Sequence, residues 1–454
     1  MADKVSILDK DGVVTYYSTY GAARAAIISL SIEHPLIQIW ATLTNEQIVL
    51  LNGVDIWIAP GVTIDYLPPS LTTAAPTITD NGVECHCQIY GTGVIKNTFV
   101  GTTGNVYECI KITNVDTELE INCDYIEGVG KVSDGFAGVS IRIENGEKFH
   151  LTCNKVYNQN NVAMYIGSSN IINDINFRIE KVETGIPYTT TTGTTAIITR
   201  GNGFIDINEI LCRNLGHCLS HRAGSMTAMI RKMTTIMNFA NAIAAVHVDQ
   251  GSGTQKLILY FDEILSLAGA YEASLCIEHH QGTGIFIGRR VISDSINFPN
   301  FVAAIQISSS THTPSLLPKG YLKIDEIVSK GGVAMYLNDF TELFSIDSSY
   351  IECNGAAVIS SNNTAVNYLI KNAKLKNLDS SSDSKGIALD GTSPILTFKN
   401  VKIVSGGKLV NLVNGTVNIK NYGLFGNKDI DNDHVTLLIG NLGNYQFIPS
   451  TELT

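Results

Sequence analysis

One short pattern recurs through most of this chain and limits what it can fold into: apolar, any residue, apolar, two polar residues, apolar. It reads Leu151-Thr-Cys-Asn154-Lys155-Val156, Phe177-Arg-Ile-Glu180-Lys181-Val182, Ile205-Asp-Ile-Asn208-Glu209-Ile210 and Leu322-Lys-Ile-Asp325-Glu326-Ile327, and continues to Val417-Asn-Ile-Lys420-Asn421-Tyr422. The first polar residue of the pair falls at 154, 180, 208, 231, 262, 289, 325, 347, 371, 399 and 420, a repeat of about 27 residues. A repeat of this kind means stacked units, each burying its apolar face against its neighbours.

Inside the motif the apolar residues alternate with period 2, which is the spacing of a half-buried strand. A second stretch lies between successive motifs, where small residues lead into another strand: Val162-Ala-Met-Tyr-Ile166, Val333-Ala-Met-Tyr-Leu337 and Ala356-Ala-Val-Ile359. Each repeat therefore carries at least two short strands, joined by turns rich in Gly, Asn and Asp. Helical repeats would show a period of 3.6, and no helical pattern separates the strands as βαβ units would require. The expected fold is all-β: a single-stranded right-handed parallel β-helix, its handedness set by the preference of parallel crossovers. The two polar residues drift from Asn-Lys through Asp-Glu to Lys-Asn, and a position that accepts any polar residue reads as a solvated corner.

The repeat assigns residues 51–430 to the β-helix, 1–50 to an N-terminal attachment and cap region, and 431–454 to a C-terminal cap or subunit-contact tail. An open parallel edge invites aggregation, so both ends need cover. Thr19 to about Leu30 reads as a short Ala-rich helical cap, and Val435–Ile439 and Tyr445–Ile448 read as strands of a C-terminal β cap.

Composition agrees: 40 glycines and 16 % charged residues suit strands and tight turns. A net charge of −11 without a basic stripe argues against a nucleic-acid partner. The nine cysteines are scattered, and Cys85, Cys87, Cys123 and Cys153 sit in strand-like stretches, so buried free thiols are expected from assembly in a reducing cytoplasm. Cys85-His86-Cys87 has no second ligand cluster beside it, so no metal and no cofactor are expected. Met1-Ala2-Asp3-Lys4-Val5 leads into no apolar core, which argues against a signal peptide, and Ala22–Leu43 is too interrupted by charge to insert into a membrane.

Asn52-Gly-Val-Asp-Ile-Trp57-Ile-Ala-Pro60-Gly61-Val-Thr-Ile64 and Ile89-Tyr-Gly91-Thr-Gly93-Val-Ile95 resemble the opening coils of pectin-lyase-like β-helices, most closely those of bacteriophage tailspike and fibre proteins. The resemblance implies a homotrimer located in a virion, assembled in the host cytoplasm. It also implies attachment to other virion proteins through the N-terminal region, and a host surface polysaccharide or receptor as target. Some members of that group cleave polysaccharide, so fold does not decide activity.

A glycosidase would need two carboxylates on neighbouring coils, and a lyase a base. The exposed candidates are Asp206, Glu209, Asp262, Glu263, Asp325 and Glu326, but they fall mostly on the corner column, where Lys155, Lys181, Arg231 and Arg289 take equivalent places. A second constellation follows the second strand of three successive repeats: His217, His221 and Arg222, then His247 and Asp249, then Glu278, His279 and His280. Such a patch suits an anionic sugar, acid–base work or a subunit interface. Tyr157, Tyr165, Tyr336 and Tyr350, with loops at Tyr188–Gly193 and Ser308–Pro318, are further candidates for ligand contact. Three readings stand: a receptor-binding virion fibre without catalysis, a tailspike that is a polysaccharide hydrolase or lyase, and a cellular β-helix adhesin or enzyme.

Overall fold

The computed structural model describes residues 3–67, 75–99, 107–130, 138–185, 195–213, 216–237, 243–248, 255–268, 274–294, 303–308, 318–338, 344–361, 367–379, 385–399, 402–404, 408–420 and 423–424. The chain is a parallel β-solenoid, nearly all strand. It divides into two compact units, Met1–Asn214 with Gly224–Met229, and Leu215–Ala223 with Ile230–Thr454. The C-terminal strands expected at 435–448 lie outside the described residues, as do the loops at 188–193 and 309–317.

Among the described residues the sequence expectation of at least two strands per repeat is met by three, each contributing one inward column. In the first unit these columns are Ile56–Ile89–Ile121–Leu151–Phe177–Ile205, then Ile64–Ile95–Ile126–Val156–Val182–Ile210, and Ile48–Ile78–Ile110–Ile141–Met164–Ile197. All of these side chains are buried, and Phe149, the ladder partner of Ile175, meets Phe177 edge-to-face at 5.7 Å across adjacent coils. In the second unit the columns are Leu259–Phe286–Leu322–Ile346–Ile370, Ile264–Val291–Ile327–Ile351–Leu375 and Val246–Ile277–Ile305–Met335–Ile359–Ile387. The apolar alternation seen in sequence is this interior.

The polar pair behaves as a corner of a specific kind. In the first unit the pairing of Lys148–Asn158 with Ile172–Thr184 runs through Cys153↔Ile179, omits Asn154 and Glu180, and resumes at Lys155↔Lys181. The same omission falls at Asp262 and Arg289, and at Arg289 and Asp325, in the second unit. The first polar residue is thus the one that leaves the ladder, which is why any polar side chain serves there. The small residues of the second signature turn the opposite way. Ala245 with Cys276, and Ala304 with Ala334, are skipped by the ladder and fully buried, because a corner that turns inward has room for little more than a methyl or thiol. These four side chains fill the interior.

The N-terminal cap holds the expected helix at Tyr20–Leu30. Thr19 Oγ1 accepts from Ala22 N, and the Glu46 carboxylate accepts from Tyr20 N at 2.6 Å and Gly21 N at 3.2 Å, so the amides left over at the helix start are satisfied. Tyr20, Ala23 and Ile27 form its buried face. Beside it, Val5–Leu8 pairs antiparallel with both Val14–Tyr17 and Leu36–Ile39, and Leu36–Ile39 is already a parallel rung against Asp55–Ile58. That antiparallel hairpin carries no repeat, so the sequence pattern was silent about it. Among the described residues no helix is long and apolar enough to cross a membrane.

Glycine matters most where coils touch. Gly203 has φ +144°, and a Cβ there would lie 2.0 Å from the Ile175 carbonyl oxygen. Gly21, in the helix, has open space at the same position. Gly203→Ala should therefore cost several kcal/mol in urea unfolding, roughly the scale of strained backbone plus a broken rung. Gly21→Ala should add about 0.5–1 kcal/mol from helix propensity. Equal effects of the two changes would refute this account of the coil contact.

Candidate functional site

The six candidate carboxylates are placed on the outer side but not as an acid–base pair. In the first unit Lys155, Lys181 and Glu209 occupy one column on successive coils, and Lys181 Nζ lies 3.2 Å from Glu209. In the second unit Glu263, Arg290 and Glu326 follow one another, with Lys232 3.7 Å from Glu263 and Arg290 Nε 2.9 Å from Glu326. Asp262 and Asp325, both exposed, have Arg289 between them, and Asp206 is the ladder partner of Arg178. Rungs are about 4.8 Å apart, so like charges on alternate coils sit about 10 Å apart with a cation between them. A retaining pair would need about 5 Å, and an inverting pair a water where the arginine stands. The column is an ion-pair ladder.

The strongest node of that ladder was not singled out in sequence. Glu183 receives Lys155 Nζ at 2.9 Å, Lys181 Nζ at 3.7 Å and Arg213 Nη1. Burial pushes its carboxyl up, but the hydrogen bonds and charges of Lys155 and Arg213 outweigh burial and hold it below its ordinary value of 4.5. A carboxyl lowered by folding contributes stability that is complete above 4.5 and is lost as pH falls through the folded value. Glu183→Gln should cost about 1 kcal/mol near neutral pH, and the gap from wild type in urea midpoint should close on acidification. A gap that persists unchanged at pH 3 would contradict it.

The histidine constellation splits in two. His221 and His279 are fully buried and occupy the inward column with Val248 and Ile307. His279 packs edge-on to Phe286 at 5.8 Å and its Nε2–H donates to the Lys319 carbonyl at 3.1 Å. Burial pushes it down to about 4, so it is a neutral core residue and not a surface ligand. Asp249 lies outside the described residues.

The other members meet on the opposite face. Val246 and Val248 are buried on either side of His247, and Ile277 and His279 on either side of Glu278, so period 2 turns His247 and Glu278 outward as direct ladder partners. Glu278 Oε1 lies 2.8 Å from His280 Nε2 and Oε2 lies 3.5 Å from His247 Nε2. The His217 ring stacks on His247 at 4.4 Å and 10°, and His280 meets His247 edge-on at 5.5 Å. Arg222 stays beside the group, its Nε donating to Ser220 Oγ. Burial first, then the neighbouring His217, His280 and Arg222, push His247 down to about 2; burial likewise lowers His217.

Tyrosines offered as sugar platforms are engaged in packing. Tyr165 packs with Val139, Val162 and Ile198, and Tyr336 with Ala244, Leu275, Ala303 and Val333. Tyr157 lies under Lys155 Nζ at 5.0 Å, and the Tyr350 hydroxyl donates to Glu352.

One polar recess was missed in the sequence. In the first unit Asp55, His86, Gln88, Glu118, Glu120 and Lys148 line an open pocket. His86 sits between Glu84 at 2.8 Å and Glu118 at 3.5 Å. Its signal was present: Glu118 and Lys148 each stand six residues before the corner residue of their coil, Asp124 and Asn154, and ladder pairing aligns both with His86.

Comparison of the chain with protein-family models, with curated proteins and with solved structures finds no match.

Proposed function

We propose that the chain is a receptor-binding fibre or tailspike subunit of a virion, engaging a host surface polysaccharide or receptor without cleaving it. The observation that carries this reading is the ion-pair ladder: Glu209, Glu263 and Glu326, the carboxylates best placed for catalysis, are each held by Lys181, Lys232 or Arg290. A carboxylate neutralised on the next coil is neither a free nucleophile nor a poised acid. It does serve a durable solenoid surface, which is what a fibre requires.

The virion part rests on the resemblance of Asn52–Ile64 and Ile89–Ile95 to the opening coils of phage spikes and fibres, and homotrimer formation comes with it. Attachment to other virion proteins through the N-terminal region is supported by exposed apolar side chains there: Val14, Tyr16, Ile28, Leu30 and Trp40. A polysaccharide hydrolase or lyase is the second reading, favoured by the pocket that gathers Asp55, Glu118, Glu120 and His86.

Light scattering on a size-exclusion column, combined with a panel of bacterial surface polysaccharides, tests both readings. A mass near three times 49.1 kDa, with binding that leaves the polysaccharide at full length, supports the fibre. A monomer, or shortening of any chain in the panel, overturns it and turns attention to Glu118→Gln and Glu120→Gln.

A further inference from the structure

We propose that His247, Glu278 and His280 form a binding site for one divalent transition-metal ion, with zinc the best fit, clamping two successive coils of the second unit. The proposal stands apart from the fibre reading and rests on the donor atoms. One ligand atom from each residue, two imidazole nitrogens and a carboxylate oxygen, fits within a span of 4.8 Å. Two imidazoles and one carboxylate are a donor set suited to zinc and its neighbours, and zinc binds each at about 2.0–2.2 Å. Around a tetrahedral ion, donors at that radius sit about 3.4 Å apart. The Glu278 carboxylate reaches both imidazoles, Oε1 to His280 Nε2 at 2.8 Å and Oε2 to His247 Nε2 at 3.5 Å, so small side-chain adjustments bring one oxygen and both nitrogens to that spacing.

The surroundings orient the ligands. The Ser308 carbonyl oxygen accepts from His280 Nδ1 at 2.8 Å, so the proton is on Nδ1 and Nε2 faces the carboxylate. Nε2 points at Glu278 Oε1 across 2.8 Å, a contact that a proton on Nε2 fills in the metal-free chain and that a bound ion would replace. The stacked His217 ring holds the plane of His247, and is itself fixed by its Nδ1–H bond to the Ala244 carbonyl at 2.7 Å. The three side chains keep 12 %, 14 % and 15 % of their surface exposed, enough for an ion to enter and for water to complete its shell. The positive Arg222 nearby opposes a cation, and the Glu278 charge offsets it.

The experiment uses the full chain, stripped with a chelator and dialysed. Zinc chloride is titrated calorimetrically, metal content is measured by mass spectrometry, and thermal melting is followed with and without zinc. Wild type should bind one zinc per chain and melt at a higher temperature with it. Glu278→Gln and His280→Gln should each weaken binding by about tenfold or more and lose the zinc-dependent rise in melting temperature. His86→Gln should leave both unchanged. X-ray absorption at the zinc edge of the wild type, which needs no variant to fold, should show two imidazoles and light-atom ligands. Absence of stoichiometric zinc, sulfur in the coordination shell, or zinc lost in His86→Gln and retained in Glu278→Gln would each overturn the assignment.

Discussion

Everything in this structure depends on the parallel backbone ladder between one coil and the next. Its hydrogen bonds fix register, and register turns a residue type at one position into a column. Leu151 sits on Ile121 and under Phe177, Lys181 under Glu209, and His247 against Glu278, for the same reason. A slip by one residue would exchange interior and exterior along a whole strand. Coil length is free to vary only where the ladder is absent: Phe286 to Leu322 spans 36 residues, and Leu322 to Ile346 only 24.

That dependence explains what could be read from sequence. Alternation of apolar residues reports burial directly, so the solenoid, its corner column and the capping helix at Tyr20–Leu30 were all legible. The strand after the corner was not counted separately, because it continues the run before it, as in Lys148–Asn158, and only the ladder break at Asn154 divides the two. The hairpin of Val5–Leu8 with Val14–Tyr17 occurs once, and a repeat cannot announce what does not recur. For the histidines, sequence gave proximity but not facing. His279 and His280 are neighbours, yet one enters the core against Phe286 and the other turns out to Glu278. Only register against Val248 and His247 separates them.

The two polar systems differ in what surrounds them. Apart from the enclosed Glu183, the corner ladder is solvated, so each of its other Lys–Glu or Arg–Glu contacts is individually weak and tolerant of exchange. The His247–Glu278–His280 group is mostly enclosed, where interactions between charges are stronger and an unmatched polar atom is costlier. A drifting corner and a fixed cluster are the expected products of those two environments.

The thiols lend the molecule a further property. All nine cysteines are buried and unbridged, and Cys123 and Cys153 stack at 3.9 Å on adjacent coils. Burial pushes Cys87 up to about 12 and Cys353 up to about 12, far from the thiolate that reagents attack. Each thiol can react only when its own coil opens. With cysteines at 85, 87, 109, 123, 153 and 212 in one unit and 218, 276 and 353 in the other, alkylation rates resolved by residue would chart, within each unit, how far fraying reaches before that unit unzips.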